Sequence, residues 1–131
     1  MLDNRRKRRN NKYVSREFEE QEALFQWAAI QSGNHPELEW LFHIPNGGFR
    51  HKATAAALKR QGVKPGVLDL CLPVPRKGFH GLYIELKRLG EKPSPRQNRW
   101  LLFLCEQGYK AVVAVGWVEA AEILLEYLKN D

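Results

Sequence analysis

The sequence has few of the residues that covalent cross-links, zinc sites and membrane spans require. Its 131 residues include two cysteines and one methionine. Cys71 and Cys105 stand singly in apolar surroundings, which is typical of small core residues rather than of a disulfide or a zinc site. The apolar runs are far shorter than the ~20 residues that span a bilayer, so we predict no membrane segment. A chain of this length is expected to fold as one domain around one hydrophobic core.

Each charge sign is scarce in a different stretch of the chain. Residues 17–49 contain six acidic residues and no lysine or arginine, whereas residues 50–99 contain twelve basic and three acidic residues. Residues 1–16 add seven basic residues and one acidic residue. No apolar stretch follows the basic run Arg5–Arg9, so we expect no secretory signal and a cytoplasmic location.

The basic excess predicts a polyanionic partner, with nucleic acid as the first candidate. Lysine and arginine that face phosphates release counterions and steer association without reading sequence. Alternatively, the N-terminal charges form a solubilising arm and the central charges an ordinary solvated face. We interpret residues 1–14 as a flexible basic arm and residues 15–131 as a single domain.

Hydrophobic periodicity and turn residues predict an α/β fold in the order α-β-α-β-β-α-β-α, a mixed central sheet flanked by helices. The first predicted helix has Ser15 as its N-cap and Phe18, Phe25, Ala28 and Ala29 on its apolar face. The predicted elements are a helix from Ser15 to about Gln31, a strand Trp40–Ile44, a helix Thr54–Gln61, strands Leu68–Val74 and His80–Lys87, a helix from Ser94 to Gly108, a strand Tyr109–Val115 and a helix from Val118 to about Lys129. The two middle strands form a hairpin at the expected centre of the sheet.

This hairpin places acidic residues in an otherwise apolar setting. If its turn spans residues 75–79, Asp69 lies opposite Glu85, with Lys87 one pleat further on the same face. Like charges directly opposite each other destabilise a sheet, so the pair requires a cation, either a side chain or a metal. Oxygen ligands and a phosphate-rich partner favour Mg²⁺, which would polarise a phosphate and activate a water that Lys87 positions. The alternative is a surface salt bridge between Glu85 and Lys87.

Four ordered motifs occupy much of the chain between Glu17 and Tyr127. They are His43–Gly48, Gly62–Leu70, Leu82–Lys87, and Ser94–Gln97 followed by Gly108 and Tyr109. Together they resemble the VRR-NUC family, the virus-type replication-repair nucleases of the PD-(D/E)XK (restriction-endonuclease-like) superfamily. Leu68 departs from the proline that this family usually has before the aspartate. Because that proline supplies no ligand, we expect its loss to be tolerated.

The resemblance implies a metal-dependent endodeoxyribonuclease with a restriction-endonuclease-like core. It implies that Asp69 and Glu85 hold Mg²⁺ or Mn²⁺ and that Lys87 assists the attacking water. It also implies that a glutamate of the first helix completes the acidic site. Glu17 fits best, since Gln21 follows it on the same helix face, with Glu20 in reserve and Glu19 or Glu22 less favoured.

Gln97 has two interpretations. Its position matches a family position near the catalytic site, whereas its spacing from Ser94 is that of a capping box, in which it is bonded to the start of a helix. His43 is a weaker candidate, because a lone strand histidine is more often packed or hydrogen-bonded than catalytic.

Five residues are candidates for contacts with DNA. Asn46 and Arg50 belong to a glycine-rich turn that would let the backbone approach a phosphate, and Lys52 follows it. Arg60 and Lys64 are candidates on charge alone. The alternative is a plain turn and solvated surface charge.

The leading functional hypothesis is a structure-selective DNA endonuclease. Small members of the family that the chain resembles act as homodimers on four-way (Holliday) junctions, which implies a role in DNA repair and a phage or bacterial origin. Two opposed cuts need two sites, so a two-fold dimer is expected, with helix faces bearing Trp27, Trp100 or Trp117 as candidate interfaces. The alternatives are a monomeric nicking or flap endonuclease and a catalytically silent DNA-binding module. An RNA-binding protein is disfavoured, since no aromatic RNP motif is present.

Overall fold

Helices pack against a four-stranded mixed sheet in the computed structural model of the chain, which describes residues 16–45 and 52–129. The elements are α1 (Glu17–Gln31), a 3₁₀ helix (Pro36–Trp40), β1 (Phe42–His43), α2 (Lys52–Arg60), β2 (Leu70–Leu72), β3 (Leu82–Lys87), α3 (Pro95–Glu106), β4 (Lys110–Val115) and α4 (Trp117–Leu128). The predicted α/β class and order are confirmed, with the 3₁₀ helix added. The proposed arm, residues 1–14, lies outside the described residues. No helix in the described ranges is long and apolar enough to cross a membrane.

The strands lie in the order β1-β2-β3-β4. β2 pairs antiparallel with both β1 and β3, and β4 pairs parallel with β3. Leu70 is opposite Ile84 and Leu72 is opposite Leu82, which is the predicted hairpin register, and its continuation sets Asp69 opposite Glu85. The hairpin strands are the two central strands, as predicted. β2 is shorter than predicted at both ends, and it ends at Leu72 because Pro73 has no N–H to continue the ladder.

The first helix differs from its prediction in its cap and its buried face. Arg16, not Ser15, occupies the N-cap position. Leu24 and Ala28 are buried, whereas Phe18 is 54% exposed and Ala29 is also exposed. The predicted face is confirmed for Ala28 and for Phe25, which packs partly buried against the core, and it is wrong for Phe18 and Ala29, because the prediction sought an apolar stripe along the whole helix. The inward stripe begins instead with Glu17, whose carboxylate faces the sheet acids.

The strand predicted over Trp40–Ile44 was largely wrong. A 3₁₀ helix occupies Pro36–Trp40, and only Phe42 and His43 form strand β1. Proline at the first position favours a helical turn because its fixed φ suits one and its missing N–H is not needed there. Leu38 and Leu41 are buried on this segment, while Trp40 is exposed.

The core lies between the sheet and the pair formed by α1 and α4. Its members are largely aliphatic: Leu24, Ala28, Leu38, Leu41, Leu70, Leu72, Leu82, Ile84, Leu86, Ala114, Ala120, Ala121, Leu124, Tyr127 and Leu128. The Tyr127 hydroxyl donates to the carbonyl oxygen of Val74, so the one polar atom of this buried ring is satisfied. Cys71 is buried as expected, but Cys105 is exposed on α3. The same core contains Leu24 of α1 and Ile84 of β3, so α1 packs against the hairpin.

Candidate active site

Three carboxylates converge at one end of the hairpin. Glu17, Asp69 and Glu85 each offer an oxygen atom that lies within 4.8 Å of the other two. Asp69 directly precedes β2, Glu85 lies within β3, and Glu17 is the first residue of α1. Glu85 is 0% exposed and Asp69 is 8% exposed. Glu17 is exposed and lies on the solvent side of the group. The fold thus assembles an acidic group from residues far apart in sequence.

Hydrogen bonds fix Asp69 at both its side chain and its main chain. The backbone N–H of Leu86 donates to Asp69 Oδ2 at 2.9 Å. The carbonyl oxygen of Asp69 accepts from the N–H of Ile44 at 2.7 Å and from His43 Nδ1 at 2.9 Å. His43 is therefore a hydrogen-bonded strand residue that holds the chain behind Asp69.

Glu85 has one oxygen bonded and one without a partner. Its Oε1 accepts from Gln97 Nε2 at 2.9 Å and lies 3.6 Å from Lys87 Nζ. Its Oε2 is buried and has no hydrogen-bond partner among the residues described. The ion pair of Glu85 with Lys87 exists, but it is buried rather than on the surface. An unpaired buried acceptor beside two further carboxylates is a position that a cation would satisfy.

The electrostatics of the acidic group also favour a cation. Burial and, next, the neighbouring Asp69 raise the pKa of Glu85 to about 8, while Lys87 opposes the rise. Burial, followed by the charge of Asp69, also raises the pKa of Glu17. Three carboxylates cannot all be ionised here at low cost unless a positive charge joins them. Hard oxygen donors of this kind fit Mg²⁺ or Mn²⁺.

The amide of Gln97 makes both of the contacts that the sequence left as alternatives. Its Oε1 accepts from the Ser94 N–H at 2.8 Å, and the backbone N–H of Gln97 donates to Ser94 Oγ at 3.2 Å, which is the capping box of α3. Its Nε2 donates to Glu85. The start of α3 thereby orients the Glu85 carboxylate.

Glu20, the reserve candidate, lies in a different environment. Its Oε2 accepts from the backbone N–H of Trp117 at 2.8 Å, at the N-terminus of α4. The structure therefore brings Glu17 to the sheet acids and directs Glu20 to a helix end, where a negative charge is stabilised.

The structure describes only part of the predicted DNA-contact set. Asn46, Arg50 and the side chain of Lys52 lie outside the described residues. Arg60 ends α2 and is exposed, and Lys64 is exposed in the loop that leads to Asp69.

Sequence reasoning named only Trp100, as a candidate interface residue, from a set of side chains on α3 that lie together. Arg96, Arg99, Trp100 and Phe103 line a groove together with Lys64 and Pro65. Arg99, Trp100 and Phe103 follow Arg96 by three, four and seven residues, a spacing that places all four on one face of a helix. This spacing could have revealed the set from the sequence. Of the other candidate interface tryptophans, Trp27 and Trp117 pack partly buried against the core.

Comparison with known proteins identifies the family to which this fold and acidic group belong. The VRR-NUC domain model matches residues 7–117. The chain belongs to the VRR-NUC family, a family of nucleases. A solved structure of a VRR-NUC domain protein is similar, with a TM-score of 0.79 and 31% sequence identity over 92% of this chain and 94% of that chain. Comparison with curated proteins finds no match.

Proposed function

We propose that this protein is a metal-dependent, structure-selective DNA endonuclease. The observation that supports this most directly is the convergence of Glu17, Asp69 and Glu85 within 4.8 Å, with one buried oxygen of Glu85 left without a partner. These three side chains would hold Mg²⁺ or Mn²⁺. Membership of a nuclease family supports phosphodiester hydrolysis as the reaction.

The residues around the carboxylates have distinct roles in this proposal. A divalent cation, when bound, would supply Lewis acidity at the scissile phosphate. Lys87 lies beside Glu85 in a nearly water-free position, where its ammonium orients the attacking water and stabilises the charge that develops on the phosphate. Gln97 occupies Oε1 of Glu85 and so leaves Oε2 free for the cation.

We propose a four-way DNA junction as the substrate and a homodimer as the active form, with DNA repair as the setting. The described part of the chain contains one such acidic group, and paired cuts in opposed strands need two. Exposed apolar side chains that a dimer would cover include Ile30, Trp40 and Phe42.

Cleavage assays with three DNA structures test this proposal. The wild-type protein, Asp69→Asn and the control Glu106→Gln are incubated with labelled four-way junction, flap and linear duplex DNA, in Mg²⁺, Mn²⁺ or chelator. We expect paired, metal-dependent junction cuts by the wild type and the control, and none by Asp69→Asn. Glu106 is a suitable control because it is an exposed acid at the far end of α3.

Other results of these assays would support the alternative functions instead. Cutting of flap or linear DNA alone by a species that light scattering shows to be monomeric would favour a nicking enzyme. Binding of DNA without cleavage under any metal condition would favour a silent binding module. Cleavage retained by Asp69→Asn would contradict the site assignment.

A further inference from the structure

A groove lies beside the acidic group, between α3 and the loop that precedes β2. We call it the α3 groove; it has a volume of about 540 Å³ and is lined by Lys64, Pro65, Arg96, Arg99, Trp100 and Phe103. Its size is within the range of small-ligand sites. The proposed reaction does not use it, since none of these side chains belongs to the carboxylate group.

Two aromatic rings form a corner in this groove. Trp100 and Phe103 meet edge to face, with ring centroids 6.1 Å apart and ring planes at 90°. Trp100 Nε1 donates to the carbonyl oxygen of Pro65 at 3.2 Å, which fixes its indole against the loop. Phe103 remains 51% exposed, so one ring is held in place and its neighbour is open to a planar ligand.

The remaining side chains of the groove are positively charged. Lys64, Arg96 and Arg99 are exposed, and the described lining includes no acidic residue. This combination of cations with an aromatic corner matches a nucleotide, whose base stacks on rings and whose phosphates pair with cations. A two-fold contact between copies would bring the same three cations against one another, which disfavours a dimer interface here.

The groove is built from the segments that also form the acidic site. Gln97, which holds Glu85, lies between Arg96 and Arg99 on α3, and the loop containing Lys64 and Pro65 leads directly into Asp69. The loop and the helix are in close contact. A Cβ atom added to Gly66 would lie only 2.6 Å from Arg96 Cβ. A DNA strand crossing the acidic site therefore has the groove next to it.

We propose that the α3 groove binds an unpaired nucleotide of the DNA substrate, with its base against Phe103 and Trp100 and its phosphates on the basic side chains. The inference rests on the proposed function, because it assumes DNA as the substrate. It extends that function by naming the feature that is recognised. Paired DNA keeps its base faces stacked and offers none to the rings, whereas a flap carries unpaired bases and a four-way junction provides one where a base pair at its crossover opens.

Binding measurements with two matched DNAs test the groove. Fluorescence anisotropy compares a continuous duplex with the same duplex carrying three unpaired thymidines, using the full chain with Asp69→Asn so that no DNA is cut. We expect tighter binding to the DNA with unpaired thymidines. Phe103→Ala should weaken that binding by about 5-fold to 100-fold, the range for loss of one base–aromatic stack, and leave duplex binding unchanged. Phe103→Tyr should restore the preference.

Two control variants distinguish the loss of a groove contact from a nonspecific effect of substitution on DNA binding. Leu102→Ala removes a neighbouring apolar side chain that is 62% exposed and does not line the groove, and it should leave both affinities unchanged. Arg99→Ala should weaken binding to both DNAs and reduce the salt slope, whereas Lys129→Ala, at the distant end of α4, should not.

Several results would overturn the groove assignment. One is an equal loss of affinity for both DNAs with Phe103→Ala, or no loss for either. Another is an effect of Leu102→Ala equal to that of Phe103→Ala. A third is a change in oligomeric state with Phe103→Ala, which would make the groove an interface between copies. The proposed function fails by a different result, namely absence of cleavage by the wild-type protein on every DNA. The two failures are therefore distinguishable.

Discussion

At the scale of single residues, Glu17 and Glu20 differ in what their carboxylates contact, although both lie at the start of α1. Glu17 joins Asp69 and Glu85, whereas Glu20 accepts from the backbone of Trp117. A substitution of each by glutamine therefore separates ligand binding from helix packing.

We expect Mn²⁺ to raise the melting temperature of the wild type and Glu17→Gln to abolish most of that rise, because one of the three proposed ligands loses its charge. Glu20→Gln should keep that rise but lower the free energy of unfolding by about 1 kcal/mol, since a charged acceptor at the N-terminus of α4 becomes neutral. Thermal denaturation with Mn²⁺ and with chelator measures both. A full metal response in Glu17→Gln would exclude Glu17 as a ligand.

The two cysteines should differ in reactivity. Cys71 is buried in β2, and burial raises the pKa of its thiol, which reduces the fraction of reactive thiolate. Cys105 is exposed. At pH 8 we expect a maleimide to modify Cys105 promptly and Cys71 only after unfolding, as measured by mass spectrometry of proteolytic peptides. Rapid modification of Cys71 in the folded protein would contradict its position in the core.

At the scale of elements, α3 begins with a capping box whose glutamine also contacts the acidic site. The Ser94 hydroxyl contributes only to the cap, whereas Gln97 contributes to the cap and to Glu85. The two contributions can therefore be measured independently.

We expect Ser94→Ala to destabilise the protein by about 1 kcal/mol, the usual effect of losing an N-cap side chain, with cleavage retained. The Ser94 N–H that holds Gln97 Oε1 remains in this variant. Gln97→Ala should cause a similar loss of stability and also a large loss of cleavage, because Glu85 is no longer oriented. Urea denaturation and single-turnover cleavage give the two quantities. Equal cleavage by both variants would make Gln97 a helix-capping residue alone.

The hairpin was predictable from sequence because its information is local. The alternation of apolar residues in the two strands and the short connection between them predict the register, and this register sets Asp69 opposite Glu85. The cap of α3 was predictable for the same reason, since Ser94 and Gln97 are three residues apart.

Features that depend on tertiary placement were not predictable from the same patterns. The inward stripe of α1 starts with an acid rather than an apolar residue, so periodicity misplaced the buried face on Phe18. The second contact of Gln97 depends on where α3 lies against β3. The α3 groove likewise requires the loop at Pro65 to meet Trp100, a contact between segments 35 residues apart.

At the scale of the whole molecule, the basic N-terminal segment and the folded domain are expected to contribute separately to DNA binding. Residues 2–12 contain six basic residues and one acidic residue. None of the described site residues belongs to this segment.

Deletion of residues 2–12 should weaken DNA binding at moderate salt. It should also reduce the slope of log affinity against log salt by about 0.9 for each phosphate that the segment neutralises in the intact protein. The single-turnover cleavage rate at saturating protein should not change, because the carboxylates and Lys87 are intact. Anisotropy titrations at several salt concentrations measure the slope. An unchanged slope would show that the segment does not bind DNA.

The partnerless oxygen of Glu85 also bears on how this protein would evolve. Burying Asp69 and Glu85 beside Glu17 disfavours folding, and selection for the proposed cleavage activity would maintain this arrangement. A lineage released from selection for cleavage should therefore replace Glu85 or Asp69 early, while Leu24 and Tyr127 persist because the core requires them. Degenerate descendants would be well-folded proteins with altered acids, not unstable proteins with an intact acidic group.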